Sequence, residues 1–560
     1  MELQKMNIFS VPAGAAAALT GFWDFAFTPE ALENLKLDEL EFASVASVPG
    51  CYDLRPECLM LRGSGVYRCF VSCGGDIELA CDGLGLRGAF FWDKGKVGET
   101  VAPFTRETFR FDAGAQGVHE LIIAVNNEFD DEPGSLFRRN YDFYAHGGIY
   151  RKVTVTALQK IRLEKLEIIP RDIEKGEVEV SVELSGCEAL EKAVLCWDEK
   201  ESSASLTLEN GKGQGLFTVP DHQIWSPENP HLHTLTVKVQ DQNFTARTGL
   251  RTITAAKGKL FLNGKELKVA GINRHDAHPD FGYAVPDEIR LRDLLLLRQQ
   301  GYNCIRGCHY PQSEEFLDLC DQMGMLVWEE SLGWGNRDFS MADPVFAERQ
   351  IRQTEMMVKK SINHPCVIMW GFLNECSSDL EISRKLIGDL AAAIRKLDTS
   401  RPVTYGSMFL TKDVCFDLVD VISYNTYPCW YREGQDQYFS KATLLSHLKE
   451  LADFASKPEF QEKPVVISEV GAEALPGDHS GMRWSEEYQS ELLCEVLRQT
   501  LGEGRFAGAF LWQFCDTRTY INNACQVRTG GFNHKGIVDG SRRPKISFRE
   551  TGKVIKEYMK

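Results

Sequence analysis

The chain is predicted to have three parts: a β-sandwich over residues 1–157, an immunoglobulin-like β-sandwich over 158–254 and a (β/α)8 barrel over 255–560. Three observations predict this. The 560 residues exceed what one hydrophobic core ordinarily serves. Before residue 255 the chain runs in short segments alternating apolar with polar and broken by Gly, Asn and Asp. After it, short apolar runs alternate with helix-sized amphipathic stretches.

The first sandwich rests on GVYRCFVSC (65–73), DIELACDGL (76–84), HELIIAVNNEF (119–129) and RKVTVTAL (151–158). Their period of two with frequent turn residues is that of antiparallel strands. EVEVSVELSG (177–186), KAVLCWDEK (192–200) and LHTLTVKVQD (232–241) continue the pattern over a length that suits one immunoglobulin-like sandwich. From GKLFLNGKELKVAGINRHD (258–276) onward, helical stretches such as PDEIRLRDLLLLRQQGYN (286–303) and SRKLIGDLAAAIRKLD (383–398) separate eight apolar runs: LKVAGIN, YNCIRG, MLVWEE, VIMWGFLNE, RPVTYG, VISYN, PVVISEV and GAFLWQF. Eight such runs fit a closed parallel barrel better than an open doubly wound sheet. The Gly-rich turn expected after the first strand of a nucleotide-binding sheet is absent from the sequence.

Lys and Arg total 63 against 80 Asp and Glu, a formal net charge of −17. That balance argues against nucleic acid or an anionic membrane as the main partner, and an anionic substrate would need a local basic cluster to overcome it. The stretch MELQKMNIFSVPAGAAAALTG lacks a basic segment leading into a long apolar one, and no run approaches the length of a membrane span, so a cytoplasmic location is expected. The 17 cysteines form no CxxC pairs. Neither a disulfide framework nor a metal site is indicated, and no cofactor is expected.

NHPCVIMWGFLNECSSD (363–379) carries an apolar run straight into Asn374 and Glu375. One reading is a solvated loop. As the fourth strand of a barrel, however, the run delivers Glu375 to the C-terminal end, where active sites of this fold lie. PVVISEVGAEALPG (464–477) does the same for Glu469 on the seventh strand. Two carboxylates converging on one cavity are what glycoside hydrolysis requires, one to protonate the leaving oxygen and one to attack or support the oxocarbenium-like centre.

The order of the parts, with LTGFWDFAF, VPGCYDLR and NYDFYAHGGIYRKV in the first and GINRHDAHPD, NCIRGCHYPQSEEFLDLCDQMGMLVWEE, NHPCVIMWGFLNE and ISEVGAE in the last, resembles glycoside hydrolase family 2 and, within it, the β-glucuronidases. The resemblance covers nearly the whole chain. It implies a jelly-roll-like sugar-binding first domain and a retaining mechanism, with Glu375 as general acid/base, Glu469 as nucleophile and Asn374 on the sugar 2-hydroxyl. In QVRTGGFNHKGIVDGSRRPK (526–545), Asn533 and Lys535 match the Asn-x-Lys pattern that holds the substrate carboxylate in β-glucuronidases, and Arg528 lies near another basic position of those enzymes. An ammonium and an amide aimed at one carboxylate give charge-assisted bonds that a neutral sugar cannot use, and without an anion Lys535 would be an unpaired charge. A solvated basic loop is the alternative, since Arg542, Arg543 and Lys545 follow.

The same resemblance places Asp142 of the first domain at the sugar, His309 and Trp512 at the floor and wall of the site, Tyr427 and Tyr431 beside the nucleophile, and Arg274 and His275 as supports of the acidic centre. SLGWGNRDFSMADPVFAERQIRQTEMMVKKSI (331–362) is too short for the active-site lid some β-glucuronidases carry, so an open mouth is expected. It puts Trp334 and Arg337 after the third barrel strand. The expected substrate is a small β-uronide or a uronic-acid-ended oligosaccharide, with β-galacturonidase or dual galacturonidase/glucuronidase activity slightly favoured because of Arg337, and a homo-oligomer is expected. A plain β-glucuronidase, a β-galactosidase of the same family and a non-catalytic carbohydrate-binding protein are the competing readings. Asn533 and Lys535 count against the galactosidase, and Glu375 with Glu469 against the binding protein.

Overall fold

The computed structural model describes residues 8–199, 203–431, 437–502, 504–520 and 528–559. Residues 1–7 and, in the basic segment, Gln526 and Val527 lie outside them. The chain divides into two compact units, Met1–Arg162 with Asp276–Pro286, and Leu163–His275 with Asp287–Lys560.

In the first unit the strands Ser44–Val48, Gly21–Thr28, Ser64–Cys73, Gly117–Asn126, Arg87–Trp92 and Gly95–Thr100 form one antiparallel sheet. Glu107–Asp112, Asp76–Cys81, Val153–Ala157 and Ala16–Ala18 form a second. Alternate residues, among them Trp23, Phe25, Tyr67, Leu79, Leu121, Ile123 and Val155, build the core. HELIIAVNN is apolar without alternation for a local reason. Its other face, Ile122 and Ala124, is covered by Leu32, Leu35 and Leu37 from two short 3-10 turns, so both faces are buried. The segment Asp276–Pro286 joins this unit through Tyr283, whose hydroxyl donates to the Tyr144 carbonyl at 2.5 Å and whose ring meets Phe104 edge-on at 4.9 Å.

The second unit begins with an immunoglobulin-like sandwich. Its sheets are Arg162–Asp172, Glu177–Ser185 and Lys212–Thr218 on one side, and Ser203–Thr207, Lys192–Trp197, His233–Val239 and Gln242–Thr248 on the other. Strict alternation in Glu177–Ser185 puts Val178, Val180 and Val182 inside. The sandwich is fastened to the barrel by polar side chains reaching orphan backbone groups. Asn363 bonds Ile168 and Leu166 at 2.9 and 2.8 Å, and Arg251 bonds the carbonyls of Pro365 and Val367 at 3.0 and 2.7 Å.

All eight apolar runs are barrel strands: β1 Val269–Arg274, β2 Cys304–Gly307, β3 Leu326–Glu330, β4 Val367–Gly371, β5 Val403–Thr404 with Gly406–Ser407, β6 Ile422–Asn425, β7 Val465–Val470 and β8 Phe506–Leu511. They pair in parallel, and β1 lies between β2 and β8, so the barrel is nearly closed, with its one interruption at Tyr405 inside β5. Among the described residues six of the seven connections between strands carry an α-helix, only 3-10 turns lie between β5 and β6, and a further helix, Ile546–Tyr558, follows β8. Helix Glu314–Met323 shows how the ends are set. Ser313 caps it by accepting from the Phe316 amide, Glu314 and Glu315 oppose the dipole, and Gly324 at φ 67° stops it. No described helix is long and apolar enough to cross a membrane.

Candidate active site

The lower barrel is packed with Ile272, Ile305, Val327 and Ile467, each fully buried. At the C-terminal ends of the strands the lining turns polar: Arg306 on β2, Glu330 on β3, Asn425 on β6 and Glu469 on β7 are all 4 % exposed or less. Beyond β4 the chain turns through left-handed residues at Leu373 (φ 45°) and Glu375 (φ 53°). Such conformations persist only when surroundings hold them. Here the Asn374 amide donates to the Gly333 carbonyl at 2.9 Å and the Glu375 amide to the Gly406 carbonyl at 2.8 Å. Gly406 has to be glycine, since a Cβ there would lie 2.5 Å from Asn374 Oδ1.

One guanidinium organises these groups. Arg306 donates to Glu469 Oε1 (2.9 Å), Asn374 Oδ1 (2.8 Å) and Glu330 Oε2 (2.9 Å), and lies over the Trp328 ring at 4.5 Å. Burial works against its charge, but Glu330 and Glu469 more than offset that and hold it above the ordinary value. Burial raises Glu330 against the pull of Arg306. The other oxygen of Glu469 accepts from the Tyr427 hydroxyl at 2.6 Å, and burial together with Glu469 keeps that phenol well above its usual pKa, a donor at all ordinary pH. Each Glu469 oxygen therefore has a defined donor.

Asn425 links the other carboxylate to this network. Its amide donates to Glu375 Oε1 at 3.0 Å and to Asn374 Oδ1 at 2.9 Å, while its own oxygen accepts from Ser468 at 2.6 Å. With Arg306 and Asn425 both donating to one atom of Asn374, that atom must be the oxygen. The side-chain amide nitrogen of Asn374 is buried and has no hydrogen-bond partner among the described residues. Such a donor is costly unless something binds it.

His309 stacks on Trp512 at 5.2 Å, its Nδ1 lies 2.8 Å from Glu330 Oε1, and burial and Arg306 hold it well below its usual pKa, a neutral imidazole. Burial does the same to His275, which meets Trp512 edge-on at 5.5 Å. Arg274 is bound to Asp293 at 2.9 Å, a carboxylate that also takes Arg542 at 3.0 Å, so it ties β1 to the helix Asp287–Gln300 and the C-terminal segment.

Lys535, which the sequence left unpaired unless a substrate anion met it, has an anion within the fold. Its ammonium donates to Glu473 Oε1 at 3.1 Å and sits 5.1, 5.7 and 5.8 Å from the ring centres of Tyr431, Tyr427 and Trp430. Arg528 bonds the same Glu473 oxygen, and all three charged groups are 1 % exposed. Burial alone would raise the Glu473 carboxyl, but Lys535 and Arg528 hold it below the usual range. Asn533 is fixed by accepting the Lys535 amide at 3.2 Å. The segment is thus no solvated basic loop; distant residues of the fold supply its counter-ion and its rings.

Trp334 is half-buried and forms a backbone bridge to Asn374. Arg337 is exposed, at the start of the short helix Asp338–Met341, and makes no ion pair among the described residues, with Asp338 or any other acid. Tyr431 is 49 % exposed. Asp142 lies in the first unit, partly exposed between Tyr141 and Phe143, which are buried against Phe137. Arg306, Glu330, Asn425, Glu473 and Trp430 are site residues that motif reading left unassigned. The signal available for the first three was a polar residue at the end of an apolar strand run.

The TIM barrel domain of glycosyl hydrolases family 2 matches residues 253–559, more than half of the chain, and a further domain of the same family matches 163–251. The chain belongs to glycosyl hydrolase family 2. This family 2 enzyme is 30 % identical to a β-glucuronidase of Sus scrofa over 465 residues, covering 76 % of this chain and 69 % of that one. A β-glucuronidase of Streptococcus agalactiae is 29 % identical over 472 residues, covering 79 % and 75 %. Among solved structures, a β-galacturonidase from Eisenbergiella tayi bound to galacturonate superposes with a TM-score of 0.86 at 29 % identity, covering 97 % of both chains. As a family 2 member the chain is a glycoside hydrolase of the retaining class, similar to β-glucuronidases and to a β-galacturonidase.

Proposed function

We propose that this family 2 hydrolase is a retaining exo-β-D-hexuronidase that removes terminal β-linked uronic acids, taking galacturonides alone or together with glucuronides. The observation that carries the anionic substrate is the buried group of Lys535, Arg528 and Glu473, two cations against one anion, beside the tyrosine that donates to Glu469. A neutral sugar would leave that surplus charge without a partner.

In the proposed reaction Glu469 attacks the anomeric carbon while Glu375 gives its proton to the leaving oxygen. The sugar is then held as an ester on Glu469, and Glu375 takes a proton from the water that releases it. This double displacement calls for carboxyls about 5 to 5.5 Å apart. Glu469 loses its charge on forming the ester, and Arg306 keeps Glu330 as a counter-ion. The free amide N–H of Asn374 is assigned to the sugar 2-hydroxyl, a bond that strengthens in the transition state. His309 and Trp512 are assigned to the ring, Tyr431 and Trp334 to the mouth, and Asn533 to the carboxylate.

The test is four aryl β-glycosides side by side: glucuronide, galacturonide, glucoside and galactoside. Faster turnover of either neutral sugar would sink the reading. Lys535→Ala should lower kcat/KM on the uronides by about 2 to 4 kcal/mol. Its effect on any residual glycoside activity should be much smaller, and a uniform loss would mean that Lys535 only supports the fold.

Preference between the C4 epimers rests on Arg337. Glucuronate and galacturonate carry the same carboxylate and differ only at O4, so Asn533 and Lys535 alone cannot choose. An axial O4 crowds the carboxylate side of the ring, where a guanidinium can donate to both at once. Arg337 is exposed and makes no ion pair among the described residues, which leaves its guanidinium available for that role. Arg337→Ala should lower the galacturonide-to-glucuronide ratio of kcat/KM by at least about tenfold, roughly 1.4 kcal/mol. An unchanged ratio removes Arg337 from the argument, and a wild type active on glucuronide alone makes the chain a plain β-glucuronidase.

A further inference from the structure

Resting on the hexuronidase reading, we infer that Arg528 acts on the substrate through Glu473. Its guanidinium cancels the Glu473 carboxylate, so that Lys535, which shares that carboxylate, keeps one full positive charge for one substrate anion. Arg528 is thus a positioning residue of the uronate site, and Glu473 sets the charge that the site can accept.

Arg528 and Lys535 meet on the same oxygen, Glu473 Oε1, and the second oxygen receives the His534 amide at 3.4 Å. All three side chains are 1 % exposed, so water does little to screen them. Lys535 with Glu473 alone would be a closed ion pair with little attraction left for a third ion. Adding Arg528 restores a net charge of one. The rings of Tyr427, Trp430 and Tyr431 around the ammonium hold it in place. Lys545 does not add to this surplus, because it has its own partner, Asp516, at 2.8 Å.

Glu473 also explains how the site stays folded without substrate. Two buried cations with no anion between them would repel each other and oppose burial, whereas one shared carboxylate leaves a single unmet charge. That remaining charge is what a uronate, and no neutral sugar, neutralises.

The experiment is a mutant cycle read on an aryl β-uronide, on an aryl β-glycoside and as inhibition by the free uronate. Arg528→Gln leaves Lys535 and Glu473 as a closed pair. The uronide-to-glycoside ratio of kcat/KM should fall by at least about 30-fold, with weaker inhibition by free uronate. The double variant Arg528→Gln with Glu473→Gln again has one surplus positive charge, and both readings should return to within about fivefold of wild type. Arg528→Lys, which keeps the charge, should stay close to wild type and serves as the check should Arg528→Gln unfold.

A double variant as impaired as Arg528→Gln alone overturns the inference, since Arg528 would then be touching the substrate itself. Equal losses on uronide and glycoside overturn it in favour of a purely structural ion pair. Loss of the uronide preference in Arg528→Lys overturns it as well. A wild type with no uronide activity brings down the hexuronidase reading and this inference together, whereas uronide activity without rescue brings down this inference alone.

Discussion

Glu469→Gln is expected to lose turnover on every aryl β-uronide, by about 10⁴ to 10⁶ in kcat, the range seen when a covalent catalyst is removed. Both oxygens of Glu469 accept hydrogen bonds, from Arg306 Nη1 at 2.9 Å and the Tyr427 hydroxyl at 2.6 Å. An amide keeps one acceptor and turns an N–H toward one of those donors. It has no anion with which to form the ester, and Arg306 loses half of its charge compensation. The fold should survive, because Glu330 still holds Arg306 by 2.9 and 2.8 Å contacts. Circular dichroism melting together with active-site titration checks both halves. A burst of released phenol from the variant would remove Glu469 as the nucleophile.

The second large effect depends on the leaving group. Glu375→Gln should slow alkyl uronides by about 10² to 10⁴, the usual worth of general acid catalysis, and should slow the first step on nitrophenyl uronides far less. A nitrophenolate departs without a proton, whereas an alkoxide does not. Glu375 is half-buried, with Oε1 fixed by Asn425 at 3.0 Å, so the amide can occupy the same place and the change is one of proton supply. Single-turnover and steady-state rates on the two substrate types measure it, and equal losses would count against the acid/base assignment.

Both carboxylates could be read from the chain because each ends an apolar run whose neighbours repeat the same pattern. VIMWGFLNE and PVVISEV could hardly be surface segments, and eight such runs spaced by helices leave few arrangements. The barrel and both sandwiches follow from periodicity in the same way. HELIIAVNN shows where periodicity misleads: its unbroken apolar character reflects leucines of the 32–37 segment packing on the outer face, a contact no local pattern announces.

The charged site residues were harder to read. In MLVWEE the two glutamates look equivalent, yet pleating sends them to opposite faces. Glu330 faces Arg306, and Glu329 accepts the Gln312 amide at 3.3 Å on the other side. Arg306 in an apolar run reads as a strand end in solvent until barrel closure sets it against Glu469, 163 residues away. Glu473 meets its cations 55 and 62 residues further along. Hydrophobic pattern is a property of neighbouring residues, so the sequence by itself determined the three-part architecture, the parallel barrel and the two acids at its strand ends. A buried charge is tolerated only through partners that closure of the fold supplies, so tertiary structure alone decided that Arg306 holds Glu469, that the side-chain nitrogen of Asn374 has no partner among the described residues, and that Lys535 and Arg528 share Glu473.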